Sequence, residues 1–296
     1  MTTIAWARRR HAFAAGARTF ATDRAGLVGL VILVAIVALA LLAPVLSDPA
    51  ALDVTRATGA RLAAPSARYW LGTDESGRSV LLLMWWGARI SLLVGLSAAA
   101  LSVGIGTLVG LLAGHFGGWV SAVLLRITDF FLVLPSLVLA IALSTVLERG
   151  LFTIVLALGV TSWPTTARIV RAQTMTVQTR PYIERARALG GGHWHVIGRH
   201  VLPAVMPLVL ANTTLNVAGA IIGESTLSFL GLGDPTQVSW GSMLNAAWTN
   251  GAVTAGAWWY LLPPGIGIVI VVLAFTLCGR ALEAVMTPAL RSGRPR

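Results

Sequence analysis

Residues Tyr182–Pro203 read YIERARALGGGHWHVIGRHVLP. The stretch holds Arg185, Arg187 and Arg199, three histidines and three consecutive glycines, in a chain where only 11% of residues are charged. Soluble domains carry about 25% charge, and mean hydropathy here is +0.79. So low a charge points to lipid as the solvent for most of the chain, with the quoted stretch as a polar island. Pro181 suits the first position of a helix, where its missing N–H costs nothing. From there Tyr182, Ala186 and Leu189 recur at i, i+4 and i+7, which predicts a short helix with an apolar stripe, Arg185 and Arg187 lying off it. Gly190 follows where a helix ends in a left-handed residue, a conformation glycine adopts without Cβ strain. Gly191 and Gly192 extend the turn. A second short helix starts near His193, with Trp194, Ile197 and Val201 on one face, and Leu202-Pro203 opens the next apolar run. Helix, glycine turn, helix, basic and partly apolar, is a shape suited to a groove on another protein.

Outward from this island the chain reads as membrane spans. About 20 apolar residues cross a hydrocarbon core, and six runs qualify: Ala25–Leu46, Arg89–Ala113, Val120–Leu147, Leu151–Val170, Pro203–Ile222 and Tyr260–Leu282. Sustained alternation of polarity is absent, which excludes a barrel. The first run outlasts the apolar core of a signal peptide and lacks a small-x-small cleavage site, so it reads as an uncleaved anchor. All 22 basic residues are arginine and the net charge is +11. A soluble protein so basic would suggest nucleic acid, but these arginines flank apolar runs. With the N-terminus inside, sixteen arginines lie on the cytoplasmic side, among them Arg8, Arg9, Arg10, Arg126 and six from Arg168 to Arg199, against six outside. That asymmetry predicts N-in and C-in, with the quoted stretch in a cytoplasmic loop between spans four and five. The predicted fold class is an all-α polytopic membrane protein. The expected organisation is a basic N-terminus at 1–25, a first helix and external loop at 26–88, a six-span core completed by 89–285 with the loop at 179–203, and a cytoplasmic tail at 286–296. Cys278 stands alone, so no disulfide forms within the chain and redox compartment cannot be read. Arginine-only usage with abundant Ala, Gly and Val fits a GC-rich bacterial genome.

The pattern Glu184-Arg185-Ala186, three residues, Gly190, then Leu202-Pro203 resembles the EAA loop of bacterial binding-protein-dependent ABC importer permeases. Arg185 stands where that family has its middle alanine. Other segments agree with the resemblance: LGTDESGRSVLLLMWWGARISL (Leu71–Leu92), ITDFFLVLPSL (Ile127–Leu137), LSFLGLG (Leu227–Gly233) and WGSML (Trp240–Leu244). FATDRAGLVGLVILVAIVALALLAP (Phe20–Pro44) is similar to the opening of the "C" member of the dipeptide, oligopeptide and nickel permease pair. The resemblance implies a transport subunit of the bacterial cytoplasmic membrane, importing di- or oligopeptides, or alternatively nickel, glutathione or another small solute. It implies a second permease subunit as heterodimer partner, two cytoplasmic ABC ATPase subunits that bind ATP and Mg, and an extracytoplasmic solute-binding protein. It assigns coupling to the ATPase to Glu184, Ala186, Gly190, Leu202 and Pro203. Glu184 would meet a basic ATPase residue or cap the docked helix, and Leu202-Pro203 would fix the loop to the fifth span.

Other chemistry is weaker. No Walker A pattern is present, and without any lysine the chain has no phosphate-binding lysine, so ATP hydrolysis belongs to partners. Cofactors and a catalytic set are not expected. His193, His195 and His200 could in principle ligate a metal, but no carboxylate or thiol accompanies them in the loop. Gly223-Glu224-Ser225 lacks the second glycine of a nucleophile elbow and has no base nearby. Gly106, Gly110 and Gly114 recur every four residues, as helices in close contact do. Arg126 and Asp129, at i and i+3, are expected to pair, as a structural contact or as one that changes when a transporter switches. Pro135, Pro164 and Pro207 are kink candidates. Trp240, Trp248, Trp258 and Trp259 read as interface anchors, or in part as a contact for the binding protein. An autonomous channel or secondary carrier would need intramembrane charge at a site, and only Asp129 and Glu224 approach that.

Overall fold

The computed structural model describes residues 19–286; the arginines at 8–10 and the tail beyond Met286 lie outside the described residues. Among the described residues the regular elements are helices, with a single isolated bridge between Thr73 and Ser79. α1 (Arg24–Leu46) begins where Asp23 Oδ1 accepts from the N–H groups of Ala25 and Gly26 at 3.0 and 3.3 Å. α2 (Val80–His115) runs 36 residues and starts nine before the predicted Arg89. The apolar Val80–Trp86 continues the helix, and the Arg89 guanidinium lies 5.8 Å from the Trp86 ring centre. An arginine that lays its charge along an aromatic face does not end a helix.

The predicted third span is two helices, α3 (Gly118–Val133) and α4 (Ser136–Val146), bent by 86°. Pro135 causes the break: it denies the α region to Leu134, which is extended at ψ 131, and cannot donate to a carbonyl four residues back. α5 (Leu151–Gln178) follows, then the short α6 (Pro181–Ala188). The expected short helix at His193 and the fifth span are one continuous helix, α7 (His193–Phe229). A π turn at Ile197–Val201, where the Leu202 N–H reaches the Ile197 carbonyl, precedes Pro203. The wider turn keeps the helix continuous where Pro203 has no N–H to offer. α8 (Trp240–Thr249) and α9 (Trp258–Met286) complete the chain. Among the described residues, five helices are long and apolar enough to cross a membrane, and the bent α3–α4 pair makes a sixth if taken together.

α2 and α5 form the most extensive helix contact, and the glycine repeat makes it. A Cβ on Gly106 would lie 2.7 Å from the Trp163 carbonyl oxygen, on Gly110 2.6 Å from that of Ala167, and on Gly114 2.8 Å from Thr174 Cβ. The two backbones therefore touch along three turns of α2, which only glycine permits. α9 packs on α1 and α7 and closes the other side.

Past the C-terminal end of α7, Trp240 is buried, donates from Nε1 to the Met84 carbonyl at 3.0 Å, and so is neither an interface anchor nor an exposed contact. Trp248 and Trp258 are exposed. Beneath Trp240 lies Glu224, fully buried: its carboxylate accepts from Ser91 Oγ at 3.0 Å and Ser228 Oγ at 2.8 Å. Ser91 Oγ in turn accepts from the Trp240 N–H at 3.2 Å. One carboxylate thus joins α2, α7 and the first turn of α8. Ser225 Oγ also donates to Glu224 Oε2, at 3.4 Å.

Candidate coupling site and passage

α6 begins at Pro181 and ends in a Schellman motif. The Gly191 N–H bonds the Ala186 carbonyl, the Gly190 N–H bonds the Arg187 carbonyl, both at 2.9 Å, and Gly190 has φ +84. Gly190 is the left-handed residue the sequence predicts. A Cβ on Gly191 would sit 2.6 Å from the Ala186 carbonyl oxygen, so the second glycine allows the close approach.

The buried face of α6 differs from the predicted stripe. Ile183 is 0% exposed and packs with Val177, Val196, Val201 and Val205, with Ala186 half-buried beside it. Tyr182 and Leu189 face outward, Leu189 at 89% exposure. The Tyr182–Ala186–Leu189 periodicity is real, but the loop is two turns long, so one aliphatic side chain, Ile183, decides which face is buried. Trp194 is 70% exposed on the same surface. Glu184 is exposed in the first turn of α6, where the helix dipole favours a carboxylate, and has no ion-pair partner among the described residues. Leu202 packs half-buried onto the Ile183 cluster, while Pro203 is exposed on the same helix.

Residues that the sequence did not single out tie this loop to the bundle. Arg187 donates to Gln178 Oε1 at 2.7 Å, and Gln178 Nε2 donates to the Gly114 carbonyl at 2.7 Å. His115, the last residue of α2, lies with Nε2 3.0 Å from His193 Nδ1. Phe116 stacks against His193 and Trp194 at 5.3 and 6.0 Å between ring centres. His195 and His200 contact each other at 5.8 Å, and no group of three possible ligands forms among the described residues. Only glutamine and histidine at helix ends could have signalled these ties, and those residue types are common there for other reasons. The loop is therefore held to the C-terminal ends of α2 and α5 and the N-terminal end of α7, while its exposed face carries apolar and basic side chains.

Further into the bundle a cavity of about 760 Å³ opens beside the α3–α4 break. Leu134, Pro135 and Ser136 from the break line it, with Ser162 and Thr165 of α5 and Asn216 of α7. Asn212, also at the cavity, donates from Nδ2 to Thr166 Oγ1 at 3.0 Å, and Asn216 donates to the Asn212 carbonyl at 2.9 Å. Ser102 lines the cavity, is 1% exposed, and its hydroxyl has no hydrogen-bond partner among the described residues. An intramembrane cavity with hydroxyls and carboxamides on its wall suits a polar solute better than a lipid chain. Asp129 does not pair with Arg126. Its Oδ1 meets Arg168 of α5 at 2.7 Å, because the bent α3 runs against α5 and leaves Arg126 exposed elsewhere on α3.

The fold is shared with a solved permease. An inward-facing structure of the MetNI methionine ABC transporter superposes with a TM-score of 0.57 at 20% identity, covering 70% of this chain and 97% of that one. By sequence, the dipeptide transport system permease protein of Bacillus subtilis (strain 168) is 39% identical over 228 residues, 77% of this chain and 71% of that protein. The oligopeptide transport system permease protein of the same organism is 37% identical over 77% of this chain and 74% of its own length. The glutathione transport system permease protein of Pectobacterium atrosepticum is 35% identical over 77% of this chain and 75% of its own. Residues 14–65 match the N-terminal membrane domain of oligopeptide transport permease C. Residues 106–292 match the binding-protein-dependent transport system inner membrane component, and the chain belongs to that family of multi-pass membrane proteins.

Proposed function

We propose that this chain is the permease subunit of an ATP-driven importer of di- or oligopeptides. It would work with a second permease, two ABC ATPase subunits that bind ATP and Mg, and an external solute-binding protein. The names of its relatives support the peptide class, with glutathione, itself a tripeptide, within the same chemistry. The observation that carries the mechanism is the mounting of the loop. Ile183 is locked into the bundle while Tyr182, Leu189 and Trp194 stand outward. Such a loop binds a partner by its free face and passes displacement on by its anchored face. Movement of an ATPase groove would shift α6, and through Gln178 and the His115–His193 contact the inner ends of α5, α2 and α7. α5 and α7 line the cavity, so the same shift opens or closes it, a rigid-body switch biased by ligand. Glu184, Ala186, Gly190, Leu202 and Pro203 have distinct roles in this reading. Glu184 meets the partner, Ala186 and Leu202 pack the loop down, Gly190 shapes the turn, and Pro203 follows the π turn that joins loop to span. The arginine asymmetry supports a cytoplasmic position for this loop and for both ends of the chain.

Affinity purification of the tagged chain in mild detergent, with mass spectrometry of co-eluting proteins, tests the assignment. The expected result is an ATPase with a Walker A motif and a second polytopic permease. Elution of the chain alone, under conditions that preserve other membrane complexes, would support an autonomous channel or carrier instead.

A further inference from the structure

The Asp129–Arg168 ion pair is out of place for a structural tie in a membrane. Both side chains are more than half exposed, Arg168 at 59% and Asp129 at 51%; Arg168 stands on a helix long enough to cross a membrane and Asp129 on one half of the bent α3–α4 pair. Arg168 lies ten residues before the end of α5 at Gln178, and Asp129 eleven after the start of α3 at Gly118. At 1.5 Å per residue Arg168 lies about 15 Å along α5 from its C-terminal end. Exposed charge at that depth faces a water-filled space and not acyl chains. Neither charged side chain is part of the cavity wall, but the exposed face of α5 leads from Arg168 to it. Thr165, Arg168, Ala172 and Met175 form one exposed stripe down α5, and Thr165 lines the cavity. Phe131 and Ile169, neighbours of the two charged residues on their own helices, line it as well. α5 is also the least apolar of the five long helices.

Resting on the importer reading above, we propose that this ion pair is the solute-contacting charge site at the inner mouth of the passage, and that it selects solutes bearing both a carboxylate and an ammonium group. Arg168 presents a planar fork of donors suited to a carboxylate. Asp129 accepts from an ammonium. A zwitterionic solute leaving the cavity exchanges its own two charges for the contact between Asp129 and Arg168, so neither side chain is left without a partner. The Ser102 hydroxyl in the cavity, without a hydrogen-bond partner among the described residues, is a further polar group a solute can engage on the way. A solute lacking one charge would open the pair without replacing the contact it breaks.

The test is ATP-driven uptake into proteoliposomes containing the complete complex with its binding protein. The solutes are a dipeptide, its C-terminal amide and its N-acetyl derivative, and the proteins are wild type, Arg168→Gln and Asp129→Asn. The binding protein is common to all three, so its own preference cancels in the comparison. Arg168→Gln is expected to reduce the preference for the free dipeptide over the amide by about tenfold, the loss of one charge-assisted contact, while discrimination against the N-acetyl form persists. Asp129→Asn should do the converse. Equal slowing of all three solutes, or unchanged preferences, would overturn the site and leave the importer reading standing. Failure of the wild type to take up the dipeptide would overturn both the site and the peptide class.

Discussion

Single residues carry much of this fold because backbones and buried charges leave little room. Gly110 is the sharpest packing case: any side chain there meets the Ala167 carbonyl at 2.6 Å, and backbone cannot step aside as a flexible side chain does. Gly110→Val is expected to destabilise the α2–α5 contact by about 1–3 kcal/mol, read as a lower melting temperature in detergent. Gly104→Ala, where nothing lies within 4 Å, should melt as wild type. Equal melting of the two would mean the helices do not pack through this stripe. The repeat was legible in the sequence as a spacing, although its partner helix was not. Glu224 is the opposite case. It looked like a stray charge near a span end, and only the fold reveals the hydroxyls of Ser91 and Ser228 around it. These lie on two helices far apart in sequence, and no local pattern announces such a cluster.

At the scale of elements, the segment from Pro181 to Leu202 divides into an anchored and a free face, and the two should respond differently to the same chemistry. Ile183→Asp buries a carboxylate in an aliphatic cluster without a partner and should cost several kcal/mol, lowering the yield of folded chain. Leu189→Asp changes an 89% exposed side chain. It should leave yield and melting unchanged but reduce co-purification of the ATPase. If both variants lose yield equally, the face assignment is wrong. α8 gives a second element-level prediction. Its first N–H is held by Ser91, itself bonded to Glu224, so Ser91→Ala should speed amide hydrogen exchange in Trp240–Thr249 while leaving α5 unchanged. Slowed or unaltered exchange in α8 would show that capping by Ser239 alone holds it. The helix, the glycine turn and Gly190's left-handed backbone could be read from Pro181–Gly192 alone. The buried face could not, because over two turns Tyr182, Ile183, Ala186 and Leu189 offer competing stripes. Likewise Pro135 marked a kink, but its size depends on where α4 packs.

For the whole molecule, hydropathy and arginine placement were enough to read a polytopic helical protein, and the family follows from motifs spread along its length. What stayed hidden was the relation between distant segments. The passage joins residues from α2 to α7, and Asp129 took Arg168 in place of its sequence neighbour Arg126. Topology can be checked with reporter fusions at the two termini and after residue 190, all of which should report the cytoplasm; an external report from the loop would exclude contact with a cytoplasmic ATPase. The central claim is that the loop transmits ATPase motion to the cavity, and Gly190 tests it with least disturbance to the bundle. Its φ of +84 disfavours any β-branched residue, while nothing lies within 4 Å of an added Cβ, so a substitution strains the turn without a clash. The decisive measurement compares wild type with Gly190→Val in proteoliposomes holding the assembled complex, recording membrane insertion, ATP hydrolysis and dipeptide uptake together. The account predicts normal insertion, uptake reduced by roughly tenfold from a turn strained by about 1–2 kcal/mol, and hydrolysis that no longer responds to the loaded binding protein. Wild-type uptake with the turn so altered would contradict it.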